Sequence, residues 1–160
     1  MEKIDKLRNI FKREKIDGYI VPKNDEFFGE YTPEYNDRLK FISDFTGSYG
    51  FALVLKNKNY LFVDGRYTLQ ANNQSGGKFK IVTIPDKMPS DTLKGQKLLI
   101  GFDPSLFTEK SIFILFGKNE LKLKPIFNNL IDEIWKRKIT DFKRKFFILP
   151  NKSISEKYQS

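Results

Sequence analysis

YGFALVLKNKNYLFVDGRYTLQANN, residues 49–73, is the stretch whose reading decides the fold. Tyr49 to Leu55 and Tyr60 to Val63 are two apolar runs of strand length, rich in aromatic and branched residues. The polar Lys56-Asn57-Lys58-Asn59 joins them over the length of a hairpin loop, so the two strands are expected to pair antiparallel. Asp64-Gly65-Arg66 follows at once, and Tyr67 to Asn73 reads as a short helix that Gly76-Gly77 breaks. A hairpin that passes directly into a helix indicates an α/β domain.

The same alternation continues on both sides. Upstream, Ile4, Leu7, Ile10 and Phe11 recur at helical spacing with lysine and arginine between them, a helix ending near Lys15. Asp17-Gly18 turns the chain into the short buried strand Tyr19-Ile20-Val21, whose pairing Pro22 ends. Residues 24–37 are a long polar and aromatic loop, and Asp37 is placed to cap a short helix with Leu39 and Ile42 facing inward. Downstream, Phe79 to Ile84 has the pattern of an edge strand, residues 85–95 read as a loop, and Leu98 to Gly101 is a further central strand. Asp103-Pro104 closes that strand, and Thr108 is an N-cap for a helix over 109–116 that Gly117 terminates. Leu121 to Pro125 gives another strand and Leu130 to Trp135 another helical turn. The fold class is therefore α/β, a mixed sheet with flanking helices.

The last 25 residues differ from the rest. Lys136-Arg137-Lys138 and Lys143-Arg144-Lys145 bracket a polar segment, most simply a solvated linker. Phe146 to Pro150 then restarts an apolar strand pattern, and Ser153 to Lys157 resembles the cap and first turn of a helix. The expected division is a first domain over 1–136 and, over 137–160, a linker with the unfinished start of a second domain, as in a shortened larger protein.

Composition narrows the chemistry. The 160 residues include no cysteine and no histidine, which removes disulfides, thiolate or imidazole metal sites, cysteine nucleophiles and the Ser-His-Asp triad. Carboxylates, lysines, tyrosines and hydroxyls are what remains. No apolar run approaches the ~18 residues of a membrane span, and the charged N-terminus lacks the pattern of a signal peptide, so a cytoplasmic location is expected. The net charge is +9, but lysine, isoleucine, phenylalanine and asparagine, all encodable by codons rich in A and T, dominate the chain. The lysine excess is read as coding bias rather than as a phosphate-binding role.

No phosphate-binding loop, dinucleotide fingerprint or metal-ligand spacing is present, and no catalytic, cofactor-binding or metal-binding residue is expected in this chain. Asp64, Gly65, Arg66 and Tyr67 form the most site-like cluster, at the end of a strand where a crevice can open. The structural reading is preferred: Asp64 caps the following helix and Arg66 pairs with a carboxylate such as Asp44 or Asp103. Asp25, Glu26, Glu30 and Glu34 in the long loop suit a divalent metal in principle, but a solvated acidic loop is the simpler reading. Trp135, with Ile131 and Ile134, is expected in the core or at an interdomain contact.

Several of these stretches combine into a family pattern. They are Asp17-Gly18-Tyr19-Ile20-Val21-Pro22, Gly29-Glu30-Tyr31, Arg38-Leu39 leading into Thr46-Gly47-Ser48, and above all Leu61-Phe62-Val63-Asp64-Gly65-Arg66-Tyr67-Thr68-Leu69-Gln70-Ala71. Gly101-Phe102-Asp103-Pro104 and Asp132-Glu133-Ile134-Trp135 follow in order. Together they resemble the N-terminal domain of the Xaa-Pro aminopeptidase (aminopeptidase P) family, in its three-domain form, along the whole chain.

The resemblance implies a ribonuclease H-like motif shared with creatinase and prolidase. It implies a parent that removes an N-terminal residue preceding proline, with two divalent metals of manganese type in a catalytic domain outside these 160 residues. The domain itself would be non-catalytic, shaping substrate access and assembly, with Asp64, Gly65, Arg66, Tyr67, Asp103 and Trp135 in structural roles. The partners implied are the second and catalytic domains of the parent, with a homodimer open; membrane and nucleic acid are not expected. The 86–97 loop and the 109–120 helix are shorter than the family pattern, and Lys136 to Thr140 replaces its proline-rich linker. The alternatives are a basic nucleic-acid-binding module, a small stand-alone enzyme using Asp64 and Arg66, and a decayed remnant of the peptidase gene.

Overall fold

A computed structural model of the chain describes residues 2–117 and 120–137. Helix α1 (Lys3–Glu14) forms where the spacing of Ile4, Leu7, Ile10 and Phe11 predicts, and these four residues are its buried face. It passes through a turn into β1 (Gly18–Pro22). Asp37 caps α2 (Arg38–Ser43), its carboxylate accepting from the Lys40 N–H at 3.0 Å. Leu39 and Ile42 lie in the core. The predicted hairpin is β2 (Gly50–Leu55) with β3 (Asn59–Asp64), antiparallel, with Leu53 opposite Tyr60. A 3₁₀ turn over 65–67 leads into α3 (Thr68–Ser75).

The second half comprises β4 (Lys80–Ile84), α4 (Pro89–Thr92), β5 (Leu99–Phe102), α5 (Glu109–Phe116), β6 (Lys122–Pro125) and α6 (Leu130–Ile134). Thr108 caps α5 by accepting from the Ser111 N–H at 3.1 Å, and Asn129 caps α6 by accepting from the Ile131 N–H at 2.9 Å. Each such cap stabilises by about 1 kcal/mol. One expectation needs correction. Residues 85–95 are not all loop, because α4 starts at Pro89. A proline read as a breaker is favourable at the first helical position, and Asp91 accepts from the Met88 N–H at 2.9 Å to close the turn.

The six strands form one mixed sheet in the order β4-β3-β2-β1-β5-β6. β1 pairs parallel with β5, β5 with β6, and β3 with β4, so β2 alone runs against the rest. The alternation of side chains gives two cores. Tyr19, Val21, Ala52, Val54, Leu61 and Val63 face α1, α2, α3 and α6. Ile20, Phe51, Leu53, Phe62 and Ile100 face the opposite side, where α5 contributes Ile112, Leu115 and Phe116. At Gly50, φ is +155° and an added Cβ would lie 2.7 Å from the Phe62 carbonyl oxygen, so glycine is what lets β2 start beside β3. The apolar restart over 146–149 and the helix-like stretch over 153–157 lie outside the described residues.

Candidate functional site

Because β2 alone is reversed, the carboxyl ends of the other five strands share one edge of the sheet: Pro22, Asp64, Ile84, Phe102 and Pro125. The chain leaves β1 toward β2 on one side and leaves β5 toward β6 on the other. Crevices open at such a divergence. Here a cavity of about 450 Å³ opens there, walled by Asn24 and Phe28 of the long loop, Tyr49 before β2, Phe107, and Thr108 with Ile114 of α5. Its lining is mainly apolar with a few hydroxyl and amide groups, the usual make-up of a ligand pocket. Tyr49 is 56% exposed, Phe28 50% and Ile114 53%.

The long loop is built rather than loose. Asn24 Nδ2 donates to the Leu106 carbonyl at 2.9 Å and the Thr32 hydroxyl donates to the Lys23 carbonyl at 2.9 Å, which close its base. Asp25 is buried, accepting from the Phe27 N–H at 3.1 Å and from Asn36 Nδ2 at 3.2 Å. Glu26 accepts from Arg38, and Glu34 pairs with Lys40. The reading as a solvated acidic loop is therefore wrong for Asp25, while Glu26 stays exposed: a long loop with only a single 3₁₀ turn, over 34–36, needs internal acceptors for its own N–H groups, and Asp25 supplies them.

Behind this loop lies an ionic cluster. The buried Arg38 donates Nε and Nη2 to the two oxygens of Asp132, both at 2.8 Å. Burial alone would lower the Arg38 pKa, but Asp132 and then Glu26 outweigh it and raise it above the usual guanidinium value. Arg137 donates to Asp132 at 3.0 Å, to the Tyr35 carbonyl at 3.0 Å and to Asn36 Oδ1 at 2.5 Å. This corrects the linker reading for Arg137, which is docked because the loop presents it with two acceptors and α6 with a third.

The motif residues are placed as follows. Asp64 ends β3 and accepts at 2.9 Å from both the N–H and the Nε of Arg66. The Arg66 hydrogen bonds hold its carboxyl below the ordinary aspartate value. Gly65 opens the 3₁₀ turn, and the Tyr67 hydroxyl lies 2.6 Å from that of Ser48 while its ring stands edge-on to Phe45. The partner of Arg66 is Asp64 itself, not Asp44 or Asp103. Asp44 is taken by Lys3 and Lys78, and Asp103, buried, accepts from Ser105 and from Asn129 Nδ2 at 2.8 Å. Trp135 stacks on Phe41 with ring centroids 4.8 Å apart.

Asp64, Arg66 and Trp135 do not line the 450 Å³ cavity. Asp103 lines a separate polar depression with Arg38, Asp132 and Arg137. The cavity-wall residues Phe28, Tyr49 and Ile114 were not singled out from the sequence. One signal was available: Ile112 to Phe116 is apolar all round, too apolar for a helix with one wet face, and Phe113 and Ile114 are indeed exposed. Exposed Lys58, Lys80, Lys97 and Lys122 lie at the opposite edge, where the parallel strands begin, spread across the width of the sheet from β4 to β6.

The family model of the Creatinase/Prolidase N-terminal domain matches residues 3–122. A probable Xaa-Pro aminopeptidase P of Coprinopsis cinerea is 36% identical over 140 residues, which covers 81% of this chain and 22% of that relative. The X-prolyl aminopeptidase of Caenorhabditis elegans, described as a cytosolic enzyme with a di-nuclear active site, superposes with a TM-score of 0.75 at 32% identity over 84% of this chain and 25% of that one. The N-terminal domain of the cytoplasmic peptidase PepQ from Mycobacterium tuberculosis shares the fold, with a TM-score of 0.65 at 18% identity over 83% of this chain and 98% of that one. This chain thus spans 22% and 25% of the length of the two aminopeptidases.

Proposed function

Since the chain belongs to the creatinase/prolidase N-terminal domain family, we propose that it is the non-catalytic N-terminal module of a metal-dependent Xaa-Pro aminopeptidase, a protein that releases an N-terminal residue linked to proline. The observation that carries this reading is the pairing of high coverage with small share: 81% of this chain matches an Xaa-Pro aminopeptidase at 36% identity, but only 22% of that relative is involved. The residues present do not fit a two-metal centre. The chain has no histidine, and among the described residues no three carboxylates are grouped to hold a metal. Where carboxylates do gather, at Glu26 and Asp132, Arg38 and Arg137 neutralise them. Two divalent cations of manganese type would therefore be held by other parts of the parent.

Within that parent, the module's role is to shape substrate access and assembly. The apolar cavity and its exposed aromatic wall support this, because such surfaces favour contact with another apolar group. Asp64, Gly65, Arg66, Tyr67, Asp103 and Trp135 keep the turns and the α2–α6 contact in place. Among the described residues no helix is long and apolar enough to cross a membrane. The test is an assay of the purified chain with an X-Pro peptide and manganese. No turnover is expected. Turnover that follows the chain through repurification and stops on chelation refutes the assignment.

A further inference from the structure

We propose that Arg137 works as a strap whose docking sets the shape of the cavity wall, through Asn36 and Asp25. The path is a short series of hydrogen bonds. Arg137 Nη1 donates to Asn36 Oδ1 at 2.5 Å, Asn36 Nδ2 donates to Asp25 Oδ2 at 3.2 Å, and Asp25 Oδ1 accepts from the Phe27 N–H at 3.1 Å. The Phe28 N–H donates to the Asp25 carbonyl at 3.2 Å, and Phe28 walls the cavity. A primary amide has one acceptor end and one donor end. With Arg137 on the oxygen of Asn36, the NH₂ group is directed at Asp25. Without Arg137, the Asn36 oxygen loses the donor that pins it, and the amide that donates to the buried Asp25 is held from the Asp25 side only.

The wall needs this support. Phe28 has φ +51°, the left-handed region, while half exposed. A bulky residue keeps such a conformation only where its surroundings over-determine it. The strap itself is held on two further sides: Arg137 binds Asp132 at 3.0 Å, and its guanidinium lies 5.9 Å from the ring of Trp135, which stacks on Phe41. Docked and released strap are the two states of the device. The polypeptide continues past Arg137, so anything that displaces this residue is felt more than 100 positions upstream, at the cavity.

The test is amide hydrogen exchange on the full chain, with the fluorescence of Trp135, the single tryptophan, reporting release of the strap. In Arg137→Gln the Trp135 emission shifts, and the Phe27 and Phe28 amides exchange at least about tenfold faster, the scale of one hydrogen bond to a charged group in a local opening. Amides of β2 and β3 keep their rates. Asn36→Ala gives the same acceleration, and the double variant does not exceed the larger single effect, because both act on one path. Arg13→Gln serves as control: it breaks a two-point pair with Glu133 on α6, at 2.7 Å, and leaves Phe27 and Phe28 unchanged. Unchanged Trp135 emission in Arg137→Gln, unchanged exchange at Phe27 and Phe28, additive single effects, or equal acceleration in Arg13→Gln each overturn the proposal.

Discussion

Replacing Arg38 by methionine keeps most of the aliphatic bulk and removes a guanidinium whose side chain is 3% exposed. Three contacts go with it: two to Asp132 at 2.8 Å and one to Glu26 at 3.1 Å. Removing one member of a fully buried ion pair costs about 3–5 kcal/mol, because the partner keeps its charge without compensation. Here the partners are 30% and 37% exposed, so water solvates part of each carboxylate, and Arg137 still holds Asp132. Discounting by about half gives about 2 kcal/mol. In a domain of this size that lowers the melting temperature by about 4–8 °C. Thermal unfolding followed by circular dichroism measures it, and urea unfolding should show a lower midpoint with an unchanged slope. A double variant with Asp132→Leu should lose at least about 1 kcal/mol less than the two single losses added together. A melting temperature within about 2 °C of wild type, or additive losses, would show that the cluster does not hold α2 to α6 as argued.

Other outcomes follow from the same structure. Phe45, with no exposed surface and Tyr67 edge-on to it, should cost about 3–5 kcal/mol when changed to alanine, read from the urea midpoint; a loss below about 1 kcal/mol would mean the site collapses around the void. The Asp17 carboxyl is held below its ordinary value by the Lys56 hydrogen bond and then by the Leu99 N–H. Its contribution is therefore present above the ordinary aspartate value of about 4 and is lost as pH falls through the lower folded value, so Asp17→Asn should flatten the acid limb of the stability curve there. Asp64→Ala should lower the melting temperature more than Arg66→Ala does, since Asp64 caps the turn through a backbone N–H while the Arg66 side chain is 76% exposed; equal losses would contradict that role. A chain ending at Ile134 should melt lower than one ending at Arg137, having lost the Trp135 stack and the Arg137 contacts.

How much of this was legible in the sequence depended on range. The β2–β3 hairpin was readable because its two apolar runs and polar loop are contiguous, and the pairing of Leu53 with Tyr60 spans few residues. The caps at Asp37 and Thr108 were readable because a side chain satisfying an N–H three residues on is a local event. Asp64 was readable as a cap for the same reason. Its pairing with Arg66 was not legible, because the sequence does not distinguish a distant carboxylate from one two residues away.

Local periodicity, helix caps and the lack of histidine and cysteine determined the α/β class and excluded whole families of chemistry before any fold was seen. The tertiary structure alone decided that β1 lies beside β5, that Arg38 reaches Asp132 across 94 positions, that Asp25 is buried and that Arg137 is docked. The physical reason is that a charge or an apolar face carries no record of its partner. Strand period and capping are set by neighbours in the chain, whereas ion pairs and cavities are set by which strands the sheet makes adjacent, and that choice rests on burying all the apolar faces at once.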